Sequence, residues 1–190
     1  MKILESLKER RSHYDINKEL PVDEKKVFDL VEKATELVPD AFNMKSSRVV
    51  VVTGEKHDQL WDNIYDVFES KVPREKIDSF KNGYGTILYF IDQNPVKGLQ
   101  DQFPSYAHNF PGWAIQSAGM LQISIWSGLR ELGIGASLQH YNPVIDEMVK
   151  KMFDIPESYA LNAQMPFGGI GSHPDPKPSE DISKRVKIIK

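Results

Sequence analysis

A run near the middle of the chain, Trp113 to Leu132, reads as one long helix with apolar side chains on nearly every side, Ile115, Met120, Leu121, Ile125, Trp126 and Leu129 among them. A helix that is apolar nearly all round must be buried nearly all round. Gln116, Gln122, Arg130 and Glu131 interrupt the run, so it is too polar for a membrane span. One small sheet can cover one side of such a helix. A second copy of the chain is the natural cover for the other side, since twofold dimers are the commonest oligomers. A helix at the centre of a monomer is the competing arrangement.

The flanking pattern says what packs around it. Lys2 to Lys8 suits a short helix, and Asp23 suits the N-cap of a second one carrying Val27, Leu30, Val31, Ala34 and Leu37 at helical spacing. The β-branched run Arg48 to Thr53 predicts a buried strand with Gly54 as its stop. Glu55 to Phe80 is amphipathic helix broken at Pro73, and Gly85 to Ile91 predicts a second strand. Asp92 to Phe110, rich in Pro, Gly, Asn and Gln, reads as a loop. Beyond the long helix, Gly133 and Gly135 precede a short extended stretch, Ala136 to Gln139, then a short helix, Val144 to Phe153, and a third strand, Leu161 to Ile170. Ser172 to Glu180 is a Pro-rich connector, and Lys184 to Ile189 has strand-like order. Helices and strands mix without regular βαβ alternation, which favours α+β. With 190 residues and no internal repeat, the chain reads as one domain, able to bury roughly 70% of its unfolded surface.

Several chemistries fail on inventory. The chain has no cysteine, which excludes disulfides, thiolate metal sites and a cysteine nucleophile. Its five histidines, at 13, 57, 108, 140 and 173, make no metal-ligand spacing, and G-x-S-x-G is absent. Phe167-Gly168-Gly169-Ile170-Gly171 lacks the spacing of a dinucleotide loop. A formal net charge of −3 argues against nucleic acid and anionic membrane as partners. The first residues, MKILESLKERRS, carry charge throughout and lack the apolar stretch of a signal peptide, so a cytoplasmic protein is expected.

Two basic clusters remain, Arg10-Arg11-Ser12 and Lys184-Arg185-Val186-Lys187, in which Arg185 and Lys187 share a face if the segment is extended. Each alone fits a solvated surface run. Together, guanidinium forks and a serine hydroxyl suit a phosphate monoester.

Four segments at consistent intervals, RRSHYDI, FNMKSSRVVVV, ELGIGASLQHYNP and NAQMPFG followed by KRVKII, resemble the FMN-dependent nitroreductase family over nearly the full length. The chain is most similar to its short branch of fatty-acid-repression-type and bacterial proteins. The resemblance implies an α+β fold with a mixed, mostly antiparallel sheet flanked by helices, in an intertwined homodimer. It implies a single domain over 1–190 whose arm, about 172–190, reaches to the partner. It also implies an FMN enzyme that passes reducing equivalents from NADH or NADPH to small aromatic acceptors, nitroaromatics or quinones, by ping-pong kinetics. By the same resemblance, Arg10, Arg11 and Ser12 would hold the FMN phosphate and ribityl chain, closed by Arg185 and Lys187. Asn43, Lys45 and Ser47 would approach the flavin from the partner, and Leu138, Gln139 and His140 would lie beside the isoalloxazine.

Two departures matter. Many relatives carry a basic residue where this chain has Tyr14, and Gln where it has Lys45. Lys45 is therefore placed to stabilise the reduced, anionic flavin, or else simply faces solvent. His140 is either a proton donor to the acceptor or a residue whose backbone alone matters. No catalytic side chain is required, because the flavin carries the redox step. The aromatic residues Phe103, Tyr106 and Phe110 are candidates for a lid that sets acceptor choice. The rival readings are a flavin-binding regulatory or lipid- or stress-signalling protein with little turnover, and an interaction dimer without flavin.

Overall fold

The computed structural model describes residues 2–69 and 71–190. In chain order the elements are α1 (Lys2–Glu9), β1 (Ile16–Asn17), α2 (Glu24–Leu37), β2 (Ser47–Thr53), α3 (Gly54–Val67), α4 (Arg74–Lys81), β3 (Gly85–Asp92), α5 (Gln93–Gln102), α6 (Phe110–Glu131), β4 (Ile134–Ala136), α7 (Asp146–Phe153) and β5 (Tyr159–Ile170). The sheet runs β1-β5-β3-β2 with β4 also on β5, and every strand pair is antiparallel. The parallel component is an isolated bridge, Ser12 to Ala136.

β3 is buried at every position, and its two-residue side-chain period divides the core between two faces. Ile87 and Tyr89 meet Val27 and Val31 of α2 and Leu121, Ile125 and Leu129 of α6. Leu88 and Phe90 meet Leu60, Trp61 and Ile64 of α3, Ile77 and Phe80 of α4, and Val149 of α7. The α+β architecture is thus helices on both faces of one antiparallel sheet. Asp23 caps α2 by accepting from the Lys25 amide.

The long helix spans 22 residues and buries Ala114, Ala118, Leu121, Ile125 and Leu129 against the sheet. Ile115, Met120 and Ile123, on its other side, stay exposed. Three exposed residues of α1, Ile3, Leu4 and Leu7, continue this apolar surface near α6.

Two local readings are corrected. Residues 92–110 are not a loop. Asp92 caps α5 by accepting from the Asn94 amide at 3.1 Å, and Pro95 falls in the first turn, where its missing N–H has no intrahelical role. A 3-10 turn at Pro104–Tyr106 then leads into α6. Nor is Lys184 to Ile189 a strand. A 3-10 turn at Ile182–Lys184 is followed by irregular backbone, because a strand needs a paired neighbour and this chain places none beside the segment. No helix among the described residues is long and apolar enough to cross a membrane.

Candidate functional site

The basic turn is held where it is by glycines. β1 crosses the end of β5 so closely that a Cβ on Gly168 would sit 2.2 Å from the Asn17 carbonyl oxygen, and one on Gly169 2.1 Å from that of Glu19. With β1 fixed, the preceding residues lie along β4: Ser12 bridges Ala136, and the His13 amide donates to the Ala136 carbonyl at 3.0 Å. α1 ends as the Arg10 amide donates to the Ser6 carbonyl.

At this corner the Arg10 guanidinium lies 4.0 Å from the centre of the Trp126 ring of α6. Its Nε is buried with no hydrogen-bond partner among the described residues. Burial, and then the neighbouring Arg11, push the Arg10 pKa below its ordinary value. Arg130, one helical turn after Trp126, repeats the pattern: its Nε is also buried without a partner, and its nearest carboxylate, Glu9, is 3.8 Å away. Arg11 donates to the Asp175 carbonyl at 2.7 Å, which ties the start of the C-terminal segment to the turn. His13 Nδ1 donates to the Arg11 carbonyl at 3.0 Å, and its ring meets His173 edge-on. Burial holds His13 below the usual imidazole range. The corner is therefore a concentration of desolvated positive charge, a poor resting state and a good anion receptor.

The stretch after β4 is fixed through its backbone. The Gln139 amide donates to the Gln164 carbonyl at 2.7 Å and the Gln164 amide returns the bond at 3.0 Å. Gln139 Nε2 donates to Ser137 Oγ, and Gln164 Oε1 accepts from the Tyr141 amide at 2.8 Å. Leu138 packs against the α2–α6 core, while His140 projects to solvent. Through the Ser12–Ala136 bridge, the structure brings Arg10, Arg11 and Ser12 to the strand that continues into Leu138 and Gln139.

Asn43, Lys45 and Ser47 belong to a second place. Phe42, Asn43 and Lys45 all take left-handed backbone, with φ of 55°, 50° and 52°. Three anchors impose it. Met44 is buried with Ile91, Phe110 and Ala114. Asp40 Oδ2 accepts from both the Ser46 amide and the Ser46 hydroxyl, at 2.8 and 2.7 Å. Arg48, paired with Asp92 at 2.9 Å, donates to the carbonyls of Lys45 and Ser47. A cavity of about 260 Å³ opens here, lined by Asp40, Asn43, Lys45, Ser47, Arg48 and Ser117 among others. The loop touches α6 at Ser117, whose hydroxyl donates to the Pro39 carbonyl at 2.6 Å. The basic turn touches α6 nine residues later, at Trp126, which is ~13 Å along the axis. The basic turn and the loop thus lie at separate stations of one helix.

Arg185 and Lys187 are not joined to the basic turn. Arg185 bonds Glu180 at 3.0 Å, and both basic residues are exposed. Tyr14 is half exposed against Phe80. Asp40, Arg48, Trp126 and Arg130 were missed by sequence reasoning. In sequence they look like a helix terminator, the first residue of a strand, and two side chains of the long helix.

The Arg10 and Arg130 guanidinium groups beside Ser12 thus stand at the meeting point of a helix and an antiparallel sheet in an α+β protein. Comparison with known proteins makes the class specific. Residues 7–169 match the Nitroreductase family. Two Saccharomyces cerevisiae proteins, HBN1 and the nitroreductase FRM2, are 33% and 31% identical over 177 and 180 residues, in each case 92% of this chain and 91% of the relative. Nitroreductase CinD from Lactococcus lactis, solved in complex with chloramphenicol, is 40% identical and superposes with a TM-score of 0.94 over 99% of this chain and 100% of that one. CinD has also been solved in complex with 4-nitrophenol. A nitroreductase with bound FMN from Desulfitobacterium hafniense, 19% identical, shares the fold with a TM-score of 0.74 over 100% of this chain and 99% of that one. The chain belongs to the nitroreductase family, a family of oxidoreductases.

Proposed function

We propose that this protein is an FMN-dependent oxidoreductase that takes reducing equivalents from NADH or NADPH and delivers them to flat, electron-poor aromatic acceptors such as nitroaromatics and quinones. The observation that carries the reading is the buried, unpartnered Arg10 Nε beside Arg11 and Ser12, at the corner where β4 continues into Leu138 and Gln139. These residues fit a flavin mononucleotide. Arg10 and Arg11 offer forked donors to a phosphate monoester, Ser12 a hydroxyl, and Arg130 further positive charge, its carboxylate neighbour Glu9 standing 3.8 Å away.

The chemistry such a group supplies when bound is the transfer of a hydride's two electrons from nicotinamide to acceptor in alternating half-reactions. The chain's own part is placement. The Gln139–Gln164 backbone pair holds residues 138–140 rigid beside the phosphate corner. The anchored loop presents Asn43, Lys45 and Ser47 outward. The phosphate corner and the anchored loop stand ~13 Å apart along α6, and on this reading a complete site draws one from each of two chains. The exposed stripe Ile115, Met120 and Ile123 supplies an apolar dimer surface for this. Residues 172–190 form the arm of a single 1–190 domain, and bring Arg185 and Lys187 toward the partner's phosphate corner. The complexes of the Lactococcus relative with chloramphenicol and 4-nitrophenol support the aromatic acceptor class.

The test is a visible spectrum of the purified protein, followed by anaerobic addition of NADH and, separately, NADPH. The reading requires a flavin spectrum that bleaches with at least one donor and returns on adding a quinone. Flavin that binds without bleaching would make this a binding protein rather than an enzyme. A protein that neither retains nor rebinds FMN would sink the proposal.

A further inference from the structure

Phe42 sits in the loop that the proposed function places over the flavin, and the inference rests on that reading. Its backbone φ is 55°, a conformation that bulky side chains rarely adopt, so something other than local preference sets the direction of the ring. The ring is half exposed even though buried aromatic space lies next to it. It stacks on Trp113 of α6 with centroids 5.7 Å apart and planes within 17°. Phe103 and Phe110 buttress it at 5.2 and 5.3 Å, and Tyr106 stands 6.3 Å away. The aromatic residues noted in the 97–110 segment thus gather around this one ring. They form the base under one outward ring.

We propose that Phe42 is the stacking platform that selects flat, electron-poor aromatic acceptors, with Trp113 as its backing. The face turned away from Trp113 is a rigid π-surface carried by the same loop as Asn43 and Lys45. Two ordinary benzene rings avoid full face-to-face contact because their quadrupoles repel. Nitro and quinone carbonyl groups withdraw electron density from the ring face, which lessens that repulsion and favours the stacked contact. A charged, non-planar acceptor such as ferricyanide gains nothing from it. The platform thus gives the site a preference without any hydrogen bond to the acceptor, on a loop whose backbone is held by Asp40 and Arg48.

The experiment uses the flavin-loaded protein and the variants Phe42→Ala, Phe42→Leu and Phe42→Trp. The first readout is the 4-nitrophenol dissociation constant by calorimetry. It should rise about tenfold in the alanine and leucine variants, as expected for a lost aromatic pair, and return to about the starting value in the tryptophan variant. The second is the turnover ratio of menadione to ferricyanide, which should fall by about the same factor in both non-aromatic variants. Leucine binding 4-nitrophenol as tightly as phenylalanine would show that bulk, not the ring, matters, and would overturn the platform. An unchanged menadione-to-ferricyanide ratio would do the same. A wild-type protein that takes up no flavin would remove the underlying flavoprotein reading, whereas one that is loaded and reduced by NAD(P)H while all variants behave alike removes the platform alone.

Discussion

Behind the sheet, three buried polar side chains satisfy one another. The Trp61 indole N–H donates to Thr86 Oγ1 at 2.9 Å, Thr86 faces His57 Nδ1 at 3.0 Å, and His57 Nε2 faces the Lys81 carbonyl at 3.1 Å. A carbonyl only accepts, so Nε2 carries the imidazole proton and Thr86 donates to Nδ1. Along α6 the opposite holds: Arg10 and Arg130 bury Nε atoms that nothing among the described residues satisfies, and Ile115, Met120 and Ile123 stand in solvent. The Trp61–Thr86–His57 network is closed within one chain, although the Tyr141 hydroxyl in the same core is buried without a hydrogen-bond partner among the described residues. On the proposed reading a ligand and a partner complete the second region, and buried polar atoms left unpaired are where a fold is expected to take on function.

The sharpest way to break this contrast is to damage the finished side. Trp61 is fully buried and packs 4.8 Å from Phe80. Trp61→Ala should cost about 3–5 kcal/mol of stability, read from the urea midpoint. A cost near that of a surface substitution would mean that the region behind the sheet is not the stable unit described.

The same cluster gives a pH dependence. Burial holds His57 down at about 4, against an ordinary value of 6.5. The unfolded chain takes up a proton below pH 6.5 that the folded ring refuses until about pH 4. Stability from this group is therefore full above the unfolded value and declines as pH falls through that window, by up to about 3 kcal/mol. Carboxylates also weaken the fold in acid, so the measurement is the difference between wild type and His57→Gln in urea midpoints from pH 7 to 4. Parallel curves would show that the imidazole contributes no pH dependence.

On the unfinished side the expected sign differs. Arg10→Ala removes a desolvated, under-bonded cation, so the urea midpoint of the flavin-free protein should barely move. FMN affinity, titrated by quenching of flavin fluorescence, should fall about 10–100-fold, the range for a lost charged hydrogen bond. Arg10→Lys should recover only part, because an ammonium lacks the fork. A large stability loss with unchanged affinity would make Arg10 a structural residue held by Trp126.

The finished side was the more legible one in sequence. The continuous apolar run Gly85 to Ile91 and the break at Pro73 act locally, as does the cap at Asp23 on the other face, and each is found in the structure near its expected place. α5 was missed because Pro95 and Gly98 read as loop signals, whereas the first turn tolerates proline and the Asp92 cap starts the helix. The site was legible only in part for a related reason. Arg10, Arg11 and Ser12 are adjacent in sequence, but what makes Arg10 under-bonded is Trp126, more than a hundred residues away. Asp40 and Arg48 shape the loop through bonds to its backbone, which leave no pattern of residue types. The C-terminal residues Lys184 to Ile189 alternate like a strand, but pairing depends on what lies beside them, which a periodicity does not contain.

His140 gives the smallest expected effect and the finest division within the site. Its side chain is exposed, whereas the residue before it is tied by a two-way backbone pair to Gln164 at 2.7 and 3.0 Å. A proton donor needs a fixed position near the acceptor oxygen, within hydrogen-bond reach, and nothing in the structure fixes this imidazole. What the segment supplies is rigid backbone. His140→Ala should therefore change kcat with a quinone by less than about twofold, since an exposed side chain without fixed partners contributes little, and should leave the pH profile of turnover in place. A drop of about a hundredfold or more, with an acid limb lost from that profile, would assign the imidazole the proton transfer. It would also move His140 from the part of the site the fold completes by itself to the part that the ligand completes.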